Sequence, residues 1–352
     1  MTKIIGVGNY IPSETITNLF FDKHVFLNEK GVLLKEDNTS ITDKLKKITG
    51  IEERRYAHST EVTSDLGFIA ARAAIENAGI DPETLDYVIF AHNFGDVPFG
   101  TVQSDTVPSL AARVKHLLGI KNNFCVAYDV LFGCPGWIEG VIQANAFIKA
   151  GIAKRCLVIG AETLSRVVDI HDRDSMIYAD GAGAAILEVN NDDDSGIKSH
   201  LSASYTLNEK DYLYFGKSYN NDRCQNTRYI KMDGRKIYEF ALLNVPDAMK
   251  KCLDNSGYSI HELSKIIIHQ ANEKMDEAIV DRFYQLYDTP MPENIMPMVI
   301  HKLGNSSVAT IPSLLTMILQ DELEHHKINK GDVALFASVG AGMNINAFVY
   351  KF

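Results

Sequence analysis

"VIFAHN" (residues 88–93) and "IIIHQAN" (266–272) are short apolar runs that both lead into a histidine. Uninterrupted apolar residues over the length of a strand indicate a strand covered on both faces, as in layered α/β proteins. Each run follows a helical pattern. "VTSDLGFIAARAAIENAGI" (62–80) offers Ser64 or Asp65 as a cap and Gly79 near its end. "RKIYEFALLNVPDAMKKCLDNSGY" (235–258) stops at Gly257, and Pro246 inside it predicts a kink or break. Later in each half a glycine-containing turn opens an apolar helix, "FGCPGWIEGVIQANAFIKAG" (132–151) and "LGNSSVATIPSLLTMILQDEL" (303–323). Each half then finishes with a Gly-Ala-Gly turn and a strand, "DGAGAAILEV" (180–189) and "VGAGMNINAFVY" (339–350). The polar run "NNDDDSGIKS" (190–199) separates them, so the chain divides into halves 1–192 and 193–352. The predicted fold is α/β, built from a duplicated unit.

The rest of the chain narrows the functional classes. With 352 residues, 46% of them hydrophobic, it can bury a large core or two moderate ones. No stretch reaches the ~18 uncharged apolar residues of a membrane span. The start, "MTKIIGVGNYIPS" (1–13), reads as a strand entering a turn and lacks the apolar core of a signal peptide. Five irregularly spaced cysteines do not make a disulfide framework, and a cytoplasmic location is expected. A net charge of −10 argues against general nucleic-acid binding, which requires a basic face. Metal-site spacing is absent, with no H-E-x-x-H and no paired C-x-x-C. The Gly-Ala-Gly stretches precede strands, whereas a dinucleotide fingerprint follows a strand and opens a helix. They fit better as places where two backbones approach closely.

Candidate chemistry gathers at "YDVLFGCPGW" (128–137), where Cys134 lies between glycines just as an apolar strand gives way to a helix. A helix start offers free N–H groups and positive potential, which favour a thiolate. Pro135 suits the first helical position, where its missing N–H has no intrahelical partner to lose. Asn305 opens the corresponding helix of the second half, and His269 ends one of its core strands. If the halves pack about a pseudo-twofold axis, these three positions converge on one pocket. His269 there supplies an N–H donor or a base, and Asn305 an amide donor that neither titrates nor becomes acylated. Cys125 and Cys156 on strands and Cys252 on a helix read as structural, and Cys224 in "NNDRCQNTR" (220–228) as an exposed thiol.

Together with "GVGNYIPS" (6–13), "ITGIEERRYA" (48–57), "VIGAETLSR" (158–166), "HDRDSMIYADGAGAAILE" (171–188) and "HKLGNSSVATIPSLL" (301–315), these features run nearly end to end. On them the chain resembles the β-ketoacyl-acyl-carrier-protein synthase III family of thiolase-like condensing enzymes. The resemblance implies a five-layered αβαβα fold, a homodimer and an acyltransferase of fatty-acid or related biosynthesis. It implies that Cys134 takes an acyl group from a thioester, with an oxyanion hole from the N–H groups of Cys134 and of the region of Ala341. His269 and Asn305 would then donate hydrogen bonds to the thioester oxygen of malonyl-acyl carrier protein as it loses CO2, with no metal or redox cofactor. Arg173 matches an arginine on the CoA side, while Lys44 and Ile48 stand where CoA-using members commonly have a Trp and an Arg. Lys274 stands where the family usually has an arginine. With Arg235, Lys236 and Arg282 it forms the expected carrier-binding patch, although Glu239 and Asp281 occupy positions that are often lysine. The loop "HNFGDVPFGTVQSDTVPS" (92–109) is longer and more polar than its counterpart, and Trp137 replaces a smaller aromatic. Two other readings share the fold. One is acyl transfer or condensation without decarboxylation, using a carboxylate base for which Asp96 and Glu162 are the candidates. The other is a non-catalytic partner subunit, which commonly lacks the nucleophile.

Overall fold

The structure, a computed structural model, describes residues 1–191, 194–222 and 226–352. The predicted boundary after residue 192 and Cys224 lie outside the described residues. The first half runs β1 (Thr2–Tyr10), β2 (Glu14–Thr17), α1 (Asn38–Thr49), β3 (Glu53–Tyr56), α2 (Thr63–Ala78), β4 (Tyr87–His92), α3 (Leu110–Leu117), β5 (Val126–Leu131), α4 (Gly136–Lys149), β6 (Arg155–Thr163) and β7 (Asp180–Val189). The second runs β8 (Gly196–Ser204), β9 (Leu213–Gly216), β10 (Tyr229–Met232), α5 (Gly234–Ser256), β11 (Leu263–Ile268), α6 (Glu273–Gln285), α7 (Ile300–Leu303), α8 (Thr310–Leu319), β12 (Val333–Gly340) and β13 (Asn344–Lys351). Two large sheets result, ordered β1-β7-β6-β4-β5 and β8-β13-β12-β11. In each, one pair is parallel (β4–β6, β11–β12) and the next two pairings beyond it are antiparallel, while β5 adds a further parallel pairing on the other side of β4. The place of β5 is taken in the second half by irregular chain, where the Ile266 N–H donates to the Ile295 carbonyl at 2.8 Å.

Three apolar cores set the layers. Val88 and Phe90 of β4 pack with Leu66 and Ala70 of α2 and Val114 of α3 on one outer face. Their neighbour Ile89 points the other way, into a central core with Trp137 and Val141 of α4, Leu314 and Ile318 of α8, and Phe336 and Phe348 of the second sheet. Ile266 and Leu335 face the opposite outer layer, against Met249 of α5 and Phe283 of α6. The period of two along each strand therefore serves two cores at once, and this is why the strands read as unbroken apolar runs. The result is the expected five-layered αβαβα sandwich. Phe336 and Phe348 stack at 4.2 Å between centroids; truncating either costs about 3–5 kcal/mol.

Local expectations were met unevenly. The α2 and α5 helices end on Gly79 and Gly257 with φ of 62° and 81°. Asp65 accepts a hydrogen bond from the Val62 N–H, whereas the Ser64 side chain is engaged by Asp96 instead. The α5 helix runs through Pro246 as one element, with no break. The two Gly-Ala-Gly runs are not equivalent. Gly181–Gly183 already lies within β7, where a Cβ on Gly183 would sit 2.6 Å from the Ser313 nitrogen of α8. Residues 341–343 instead form the tight turn between β12 and β13.

Candidate active site

Cys134 lies in a turn closed by the Gly136 N–H donating to the Gly133 carbonyl at 2.8 Å, immediately before α4. The β12–β13 turn of the second half presses against it. A Cβ on Gly133 would lie 2.6 Å from the Ala341 nitrogen, and one on Gly340 would lie 2.5 Å from the Cys134 nitrogen. Only glycines permit that approach, and it makes the main-chain nitrogens of Cys134 and Ala341 neighbours. His269 follows β11, its N–H donating to the Ala337 carbonyl at 2.9 Å. In "HQAN" the remaining polar groups are structural. The Gln270 side chain donates to the Pro297 carbonyl (2.7 Å) and accepts from the Val299 N–H (2.9 Å). Asn272 caps α6 by accepting from the Met275 N–H. Asn305 is held by an N–H donated to Ile177 (2.9 Å) and a carbonyl that accepts from Ala179 (2.8 Å). That strip of chain is braced by the buried Arg54, which donates to the Met176 carbonyl at 3.0 Å.

Cys134, His269, Asn305 and Ala341 line one cavity of about 70 Å³. It shares Ile177, Met232, Ile237, Ala271 and Met275 with a wider groove of about 600 Å³. Arg173, Arg235, Lys44 and Ile48 line the outer part of that groove. The thiol of Cys134 is not a resting thiolate: burial pushes it up to about 11, and a hydrogen bond from the Ser307 hydroxyl to Sγ at 3.3 Å draws it only part of the way back. Burial lowers His269 to about 4, so its imidazole is neutral at physiological pH. Its Nδ1 is enclosed with no hydrogen-bond partner among the described residues. Asn305 Oδ1 accepts the Ser307 N–H at 2.8 Å, leaving the amide hydrogens as what Asn305 can offer.

Other predicted residues separate. Arg173 and Arg235 reach the groove; Lys236, Lys274 and Arg282 do not line it. Arg235 pairs with Glu239 at 2.9 Å and Lys236 with Asp233 at 3.1 Å, while Lys274 and Arg282 are exposed on α6 with no ion pair among the described residues. Asp96 accepts from the Ser64 N–H and hydroxyl at 2.7 Å and from Arg113 at 2.6 Å, and neither it nor Glu162 lines the cavity. Trp137 is buried in the central core, donating to the Val158 carbonyl. Among the cavity residues the sequence does not single out are Asn93 and Ser307. Both lie inside motifs that had been noticed, and only their contacts single them out. Among the described residues, no group of three or more His, Cys, Asp or Glu is placed to hold a metal, and no helix is long and apolar enough to cross a membrane.

The fold and the cysteine at its central helix start define a thiolase-type condensing enzyme. Models of 3-oxoacyl-[acyl-carrier-protein] synthase III match residues 128–204 and, for its C-terminal part, 253–352. The β-ketoacyl-[acyl-carrier-protein] synthase III of Listeria innocua is 31% identical, with 99% of this chain and 98% of that protein covered. The Erythrobacter litoralis protein of the same name is 30% identical over the same shares. The crystal structure of 3-oxoacyl-[acyl-carrier-protein] synthase III from Aquifex aeolicus superposes with a TM-score of 0.81 at 30% identity, covering both chains completely. The chain belongs to the β-ketoacyl-acyl-carrier-protein synthase III family, and is a condensing enzyme of the acyltransferase type.

Proposed function

We propose that the chain condenses an acyl group with a malonyl unit held on acyl carrier protein, with loss of CO2, and that Cys134, His269 and Asn305 carry the reaction. One observation carries the reading: both halves deliver these side chains, with Ala341, to the same small cavity. The Cys134 sulfur attacks the acyl thioester, and its proton ends on the departing thiol. The N–H groups of Cys134 and Ala341 hold the oxyanion. A malonyl thioester then enters, and the His269 imidazole N–H and the Asn305 amide donate to its carbonyl oxygen as CO2 leaves. The carbanion attacks the acyl-cysteine and the thiolate is released. Neutral donors aimed at developing charge in a dry site lower a barrier by about 3 kcal/mol each. No step requires a metal or redox cofactor.

Decarboxylation is favoured over condensation by a carboxylate base, because Asp96 and Glu162 both stand outside the cavity lining. For the carrier, Lys274 lies between the groove residues Asn272 and Met275, and with Arg282 it offers cations to an acidic partner. For a homodimer, β5 is the edge of its sheet, and Phe124 just before it and Leu131 at its end are 89% and 72% exposed. The described cysteines are all free thiols, which suits a cytoplasmic enzyme.

Intact-protein mass after exposure to a panel of acyl-CoAs and acyl-carrier thioesters tests the assignment. Wild type should gain one acyl group and Cys134→Ala none. An adduct that persists in Cys134→Ala, or none in wild type from any donor, overturns it.

A further inference from the structure

Glu162, at the end of β6, is 1% exposed and has no part in the scheme above. Its Oε1 accepts the Asn93 main-chain N–H at 2.6 Å and the Asn93 Nδ2 at 2.5 Å. The same Nδ2 donates to Ser307 Oγ at 3.0 Å. Ser307 Oγ donates to Cys134 Sγ at 3.3 Å, and the Ser307 N–H holds Asn305 Oδ1. A continuous chain of hydrogen bonds thus crosses from the first half into the second and returns to the nucleophile. Ser307 keeps its place in it at φ +53°, a conformation uncommon for a residue other than glycine.

The direction of this chain depends on one group. An ionised carboxylate can only accept, so Asn93 must turn its NH2 toward it. Ser307 Oγ then accepts from Asn93, and its single hydrogen is left for the sulfur. We propose that Glu162 is a positioning residue whose carboxylate fixes the direction of the Asn93–Ser307 chain, so that Ser307 donates to the Cys134 sulfur. When Glu162 is protonated, the Asn93 amide can reverse and present its oxygen to Ser307, whose hydrogen then leaves the sulfur. Burial raises Glu162 to about 7, so the change falls in the physiological range. The titratable groups facing it are His92 of β4 and Asp180 of β7, and Asp180 opposes the carboxylate. Cys134 faces it as well, and the Glu162 charge itself disfavours the thiolate. The Ser307 hydrogen bond is the larger of these two opposing influences on the thiol. An ionised Glu162 is therefore a net activator only through Ser307.

This dependence gives the test. The proposal rests on Cys134 being the nucleophile, but iodoacetamide alkylation followed by peptide mapping reads that thiol without an acyl donor. Failure of the acyl-adduct experiment and failure of the hydrogen-bond chain are thus separable. In wild type, the logarithm of the Cys134 alkylation rate should rise with a slope above one below about pH 7 and a slope of one above it. Glu162→Gln should be slower at pH 8 by about tenfold, the worth of one hydrogen bond to an ionised group, with a single slope throughout. Ser307→Ala should match it. Glu162→Gln added to Ser307→Ala should leave the rate unchanged or raise it, because only the repulsion is then removed. A Glu162→Gln profile that overlays wild type overturns the proposal, and so does a double variant slower than Ser307→Ala. If Glu162→Gln does not fold, the steep wild-type limb and its loss in Ser307→Ala decide the matter, and its absence from wild type overturns the proposal.

Discussion

His92 and His269 occupy the same place in the two halves. Ala91 pairs with Gly160 and Ile268 with Ala337, and both partners stand three residues before the ends of β6 and β12. The next residue in each case is the histidine. His92 is fully engaged, with Nε2 3.0 Å from Asp129 and Nδ1 accepting the Gly95 N–H at 2.9 Å. His269 has no partner at Nδ1 among the described residues and lines the cavity. One position farther on the roles reverse: Gln270 is tied into the fold, and Asn93 reaches the cavity. The duplicated scaffold supplies positions, and whether hydrogen bonds already occupy a side chain decides which position can do chemistry. The widest separation should come from removing each histidine. His269→Ala should reduce malonyl decarboxylation by about 10²- to 10³-fold, as loss of an oxyanion donor does, while acylation of Cys134 survives. Asn305→Ala should behave alike. Normal decarboxylation in both variants would remove the role assigned to them.

His92→Ala should do the opposite. It removes two hydrogen bonds within the fold and leaves Asp129 with only the Leu110 and Ala111 N–H groups, each at 2.8 Å. A loss of about 2 kcal/mol in unfolding free energy is expected, with decarboxylation per folded molecule unchanged. Denaturant titration beside the activity assay separates the two effects. A decarboxylation defect comparable to that of His269→Ala would show that the halves are not divided as their hydrogen bonds indicate.

The layered fold and the cavity residues were legible because they depend on period and order. Apolar runs covered on both faces, the helix start at Cys134 and the strand end at His269 all project from one dimension into three by simple rules. Asn305, expected to open a helix, instead lies in extended chain bridged to Tyr178, ahead of α8 at Thr310. The Gly-Ala-Gly likeness misled, because identical tripeptides sit inside a strand in one half and in a turn in the other, a matter of register that composition does not carry. The burial that raises the Cys134 thiol is not visible in sequence, although the helix start beside it is. Asn93, Ser307 and the position of Glu162 behind them depend on side chains from the end of β6, the residue after β4 and the turn before α8 meeting across 69 to 214 residues, and no local pattern encodes that meeting.

The smallest effect sharpens the comparison through proton linkage. Glu162 rises from 4.5 to about 7 on folding, so its contribution to stability is present below pH 4.5 and is lost as pH climbs toward 7. His269 falls from 6.5 to about 4, so its contribution is present above pH 6.5 and is lost as pH drops toward 4. Each change amounts to about 3 kcal/mol, and the two run in opposite directions over nearly the same window. Asp180 and Asp174, each raised from 3.8 to about 6 by burial, and Asp276, raised well above 3.8, add to the carboxylate side. Wild type should therefore show a shallow decline in melting temperature from pH 5 to pH 7. His269→Asn removes the opposing histidine and should steepen that decline by a few degrees, whereas Glu162→Gln should flatten it or reverse it. Calorimetric melts of the three proteins across this range would show whether the unpartnered histidine and the buried carboxylate balance one another. Parallel curves would mean that neither group changes its pKa on folding, and the lowered His269 and raised Glu162 would both have to be given up.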